Sequence, residues 1–104
     1  MRKAYLYIMD KFIPLTISLT EFLELATDEP LRLFKLIRSI VEGEVGQIYN
    51  VQVYGRFFDS ESMDIVIEYL VKCKIGKVSA KIIYSNNPSQ ALMRYYGKER
   101  QKHD

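Results

Sequence analysis

The chain opens on residues 4–9, every one of them apolar. A run without polar alternation fits a strand covered on both faces, so residues 4–9 are expected as a central strand. Asp10 and Lys11 interrupt the run, and residues 12–17 follow as a second, shorter extended segment. Pro14 cannot donate to a ladder, which assigns that segment to a sheet edge or a loop.

Ser18-Leu19-Thr20-Glu21 is a capping box, with Ile17 and Phe22 spaced to staple it, and it predicts a short helix. Thr27-Asp28-Glu29-Pro30 reads as a fresh helix start, with acids and Pro in the first turn. That second helix carries Leu33, Leu36, Ile37, Ile40 and Val41 at helical spacing, and Gly43 is placed to end it. Residues 47–54 alternate, with Tyr49, Val51 and Val53 on one side and Asn50 and Gln52 on the other, and Gly55 closes the strand.

Asp59 then reads as a cap between Phe58 and Met63. The stripe Met63, Val66, Ile67, Leu70 and Val71 predicts a third helix that stops at Gly76. Val78, Ala80, Ile82 and Tyr84 alternate with Ser79, Lys81 and Ile83 as a further strand. Asn87-Pro88-Ser89-Gln90 opens a last helix that ends near Gly97. Residues 98–104 form a charged tail expected to fray.

Residues 47–84 thus read as a βαβ unit, whose strands run parallel in nearly all cases. The expected fold class is α/β: a small single-domain sandwich of three to five mostly parallel strands packed with about four helices, spanning residues 1–97.

Composition supports one domain. At 104 residues with 48% hydrophobic content, the chain buries a core without metal or disulfide staples. The single Cys73 lies among Leu70, Val71 and Ile75 and reads as a small core hydrophobe. Arg2 and Lys3 precede an apolar stretch too short for a signal peptide, and no window is long enough for a membrane span, so a cytoplasmic location is expected. The Ile-, Tyr- and Lys-rich balance, with no Trp, is of a kind found at high growth temperature.

Charge is distributed unevenly. Residues 1–68 hold seven basic and eleven acidic groups, whereas residues 69–104 hold eight basic and two acidic ones. This asymmetry points to a basic partner surface in the C-terminal third.

Several chemistries are excluded. The one histidine, His103, cannot supply a Ser-His-Asp, Cys-His or zinc constellation, and no glycine-rich nucleotide motif is present. No cofactor is called for. If the three main strands run parallel, their carboxyl ends gather Lys11, Arg56 and Asn86 as anion or ligand contacts, while Asp10 and Asp59 become candidate ligands for a divalent metal. Glu61, Asp64 and Glu68 recur on the third helix as a solvated face.

The C-terminal third offers cations for phosphates and rings for stacking: Lys72, Lys74, Lys77, Arg94, Tyr95, Tyr96, Lys98 and Arg100. The leading expectation is a nucleic-acid-associated accessory protein. A homo-oligomeric interaction protein, its interface built with the Tyr pair, and a small metal-dependent enzyme stand as alternatives.

Overall fold

The computed structural model describes the backbone of residues 2–103 and the side chains of residues 2–98. Its elements in chain order are β1 (Lys3–Ile8), β2 (Lys11–Leu15), α1 (Leu19–Asp28), α2 (Pro30–Lys35), α3 (Arg38–Val45), β3 (Ile48–Asp59), β4 (Asp64–Cys73), β5 (Gly76–Ser85) and α4 (Pro88–His103). The strands form one sheet in the order β2-β1-β5-β4-β3, with every neighbouring pair antiparallel.

This overturns the parallel sandwich expected from the sequence. Residues 64–73 are not a crossover helix but strand β4, joined to β3 by a tight turn after Asp59 and to β5 by the two residues Lys74 and Ile75. Connections that short permit only antiparallel pairing. The helical spacing of Val66, Ile67, Leu70 and Val71 misleads because both faces of β4 are covered, which erases the alternation a half-exposed strand shows. Val66 packs on one side of the sheet, Ile67 and Val71 on the other. Three successive β-branched residues, Ile65, Val66 and Ile67, favour the strand.

Other sequence signals hold. The run at residues 4–9 becomes β1, an interior strand, and Pro14 lies on β2, an edge strand. Ser18 caps α1, its hydroxyl accepting from the Glu21 amide at 3.1 Å, while Phe22 is fully buried. Asn87 caps α4 through a 3.2 Å bond from the Gln90 amide. The second helix breaks into α2 and α3 at Leu36 and Ile37, and α3 ends at Gly46 (φ +85°) rather than Gly43.

Helices α1–α3 cover one face of the sheet. There Phe22, Phe34, Ile37 and Val41 pack on Leu6, Ile67, Tyr69 and Ile82. The Tyr69 hydroxyl, carried into this core, donates to the Pro30 carbonyl at 2.6 Å. Helix α4 lies on the other face over a far smaller cluster, in which Ala91, Leu92 and Tyr95 meet Val66 and Ile83. It continues past Gly97 to His103 instead of stopping there.

Candidate nucleic-acid interface

The face under α4 is read by following the strands from one end of the sheet to the other. Asp59 and Asp64 are opposed at the first end; Phe57, Val66 and Ile83 come next, then Glu68 with Lys81, then Gln52, Leu70 and Ser79, and finally Asn50, Lys72 and Lys77. The apolar contacts of α4 fall on the first half of this series. None of the described α4 residues in that apolar cluster reaches the far end. A shallow cavity of ≈ 130 Å³ lies there, lined by Asn50, Gln52, Leu70, Val71, Lys72 and Lys77.

Lys72 and Lys77 are directly opposed across β4 and β5, and both are exposed. No ion pair holds either of them among the described residues. Like charges in that position disfavour the sheet. Lys74 lies in the adjoining turn with its Cβ against Gly46 at the end of α3, where the helix dipole suits a cation. Lys98 is exposed on α4. Arg100 lies outside the residues whose side chains are described.

The far end is bordered by edge strand β3, whose register with β4 slips twice. The residues skipped are Tyr49 and Tyr54, which are 62% and 52% exposed. Each is thus an extra residue outside the pairing, as in a β-bulge; Tyr49 lies beside Asn50 at the lysine-rich end, while Tyr54 lies level with Glu68 and Tyr69, midway along the strand.

Arg94, Tyr95 and Tyr96 lie toward the other end of this face, and of the three only Tyr95 is buried, which corrects its assignment to base stacking. Arg94 pairs with Asp64 at 2.8 Å and approaches Asp59 at 3.8 Å, with 39% of its side chain exposed. Tyr95 is 2% exposed, and its hydroxyl donates to Glu68 Oε1 at 2.6 Å. The Tyr96 ring lies 5.2 Å from Lys81 Nζ. Beneath them, Ser79 donates to Glu68 Oε2 at 2.8 Å, Lys81 donates to Ser79 at 2.8 Å, and Lys81 sits 3.7 Å from the Glu68 carboxylate. Asp64 and Glu68, expected on a solvated helix face, are instead among the buried charges of the sheet.

The strand-end site does not assemble. In an antiparallel sheet the carboxyl ends of successive strands alternate, so Asp10 and Lys11 after β1 lie at the opposite end from Asp59 after β3 and Asn86 after β5. Asp10 accepts from the Tyr7 hydroxyl at 3.2 Å, and Lys11 pairs with Glu44. Asp59 is held below the ordinary carboxylate value, first by the Glu61 amide and further by Ser62 and Arg94. Arg56 makes one long bond, 3.4 Å, to the Thr27 carbonyl on the helix-covered side. Asn86 is exposed in the link to α4. Among the described residues no group of three or more His, Cys, Asp or Glu is placed to hold a metal, and no helix is long and apolar enough to cross a membrane.

Sequence reasoning missed Asn50, Gln52, Glu68, Ser79 and Lys81. The signal was present for Glu68 and Lys81, single charges set inside otherwise apolar runs. Comparison of the chain with protein-family models, curated proteins and solved structures finds no match.

Proposed function

We propose that the protein is a nucleic-acid-associated accessory protein that binds phosphate backbones without regard to sequence at the lysine-rich end of its sheet. The observation that carries this is the opposed pair Lys72 and Lys77, neither of which has an ion-pair partner among the described residues. A free phosphate backbone relieves the repulsion between them and supplies a counter-charge that the described residues do not. Lys98, exposed on α4, adds a cation on the same side of the sheet, while Asn50 and Gln52 offer neutral amides for sugar or base edges.

Single strands are the favoured form. Tyr49, beside Asn50 on the edge strand, is 62% exposed, and bases of a single strand stack on such rings whatever the sequence. The acids Glu21, Glu24, Asp28 and Glu29 gather along α1 and its junction with α2, on the helix-covered side of the sheet, so the polyanion approaches from the other face.

The test is fluorescence anisotropy with a labelled oligonucleotide, single-stranded or duplex, at two salt concentrations. With three or four phosphate contacts, log affinity falls against log salt with a slope of about −2 to −3 on single strands. Absence of binding to either form at low salt rejects the proposal.

A homo-oligomeric interaction protein is the second reading, favoured by Leu19, Leu23, Leu31, Leu36 and Ile40, all exposed on the helical layer. Its surface would be the helices and not the sheet edges, because β2 is short and carries Pro14 while β3 is interrupted at Tyr49 and Tyr54. Light scattering at micromolar concentration distinguishes the two, since a monomer that binds oligonucleotide leaves this second reading without support.

A further inference from the structure

On the opposite side of the sheet from the lysines, α1 does not close completely onto β3 and β4. The gap is a groove of ≈ 390 Å³ whose walls are Leu23 and Ala26 from α1 and Phe58, Ile65 and Ile67 from the sheet, with Arg56 at its mouth. The volume falls in the range of small-molecule sites, and so does the composition, an apolar trough with Thr27 and Arg56 as its polar members. Leu23 and Phe58 leave 42% and 55% of their surfaces exposed, so the walls lie open to solvent.

Arg56 sets the chemistry. It lies on β3 opposite Ile67, and the one hydrogen bond described for its guanidinium is the 3.4 Å contact with the Thr27 carbonyl. No carboxylate pairs with it among the described residues. A guanidinium presents a planar fork of donors matched to the two oxygens of a carboxylate. With a single cation at the mouth and hydrocarbon behind it, the complementary occupant has one negative charge and an apolar body.

We propose that this groove is a binding site for a small amphiphilic carboxylate, its acid group on Arg56 and its hydrocarbon or aryl body between Leu23, Phe58 and Ile65. The site is separate from the lysine-rich end and does not depend on nucleic-acid binding.

Octanoate and 2-naphthoate serve as the aliphatic and aromatic probes, with 1-octanol and 2-naphthol as their neutral counterparts, in amide-resolved NMR titrations of the full chain. The expected result is saturable shifts confined to residues around Leu23, Arg56 and Ile65, with the acid bound roughly fivefold to tenfold more tightly than its neutral counterpart. The tighter of the two acids identifies the body that fits. Arg56→Gln, at an exposed position, should erase the difference between acid and neutral probe, and Phe58→Ala should weaken both alike. Shifts scattered over the surface, no saturation at millimolar acid, or an Arg56→Gln protein that still prefers the acid would overturn the proposal.

Discussion

Lys72 and Lys77 face each other across β4 and β5 with no carboxylate to separate them among the described residues. An arrangement unfavourable to the free protein is retained at the end of this sheet face where the cavity lined by Asn50, Gln52 and Leu70 lies. Stability and binding should therefore respond in opposite directions to the same substitution. Lys77→Glu places opposite charges across the strands and should raise unfolding free energy in urea by about 0.3–1 kcal/mol. The same variant should bind single-stranded oligonucleotide more weakly and with a shallower salt dependence. A variant that is both less stable and equally competent in binding contradicts the role assigned to this pair.

Tyr69 links the sheet to α2, and burial pushes its phenol far above the ordinary value of 10.0. Since the folded value exceeds the unfolded one, the stabilisation is complete below about pH 10 and is lost as pH climbs from there through the folded value. Alkaline unfolding followed by circular dichroism should begin just above the ordinary tyrosine range. Tyr69→Phe should cost about 1 kcal/mol at neutral pH through the lost bond to Pro30, and should flatten the alkaline decline. An unchanged alkaline limb would show that another group governs it.

Glu68 and Lys81 are both nearly buried, with side chains 11% and 5% exposed. Glu68→Ala leaves the lysine charge without its carboxylate and should cost about 3–5 kcal/mol, whereas Glu68→Leu combined with Lys81→Met should recover most of that loss. Chemical denaturation of the single and double variants gives the comparison. Equal destabilisation of the two would mean that the seam contributes through packing and not through charge.

Met9 and Asp10 form the two-residue turn between β1 and β2, with φ of 51° and 61°. Positive φ at both positions matches the mirror-image turns that suit a hairpin, but methionine is an unfavoured residue there. Met9→Asn should raise the thermal midpoint by several degrees, equivalent to about 0.5–1 kcal/mol. A fall in the midpoint would indicate that the Met9 side chain packs more than its exposure suggests.

What the sequence made legible was local. Caps at Ser18 and Asn87, the edge position of Pro14 and the interior position of residues 4–9 each rest on the chemistry of a few neighbours, and each is found in the structure. What it concealed was pairing. β4 is buried on both faces, so its apolar positions satisfy a helical period as well as a strand, and that single misassignment turned an antiparallel meander into a βαβ unit. The candidate site inherited the error, because Asp10 and Asp59 share an edge only if β1 and β3 run parallel.

The lysines escaped that error in part. Lys72 and Lys77 flank a turn whether the preceding segment is helix or strand, so their closeness survives the change of fold. Arg94 and Tyr95 lie beyond the reach of sequence for another reason: their partners Asp64 and Glu68 stand on a strand whose apolar spacing reads as a helix.

The position of β1 between β2 and β5 shapes how the chain reaches its native state. Leu6 is opposite Ile82, so β1 finds its inner neighbour only when β5, far later in the chain, is made. The β3–β4–β5 meander, whose pairings are local, is free to assemble first and to present β5 as a template. The β1–β2 hairpin then docks late, its apolar side chains waiting until β5 exists. Pulsed hydrogen exchange during refolding should accordingly protect Val66 and Val71 before Leu6, and substitutions in β1 should alter the unfolding rate more than the folding rate.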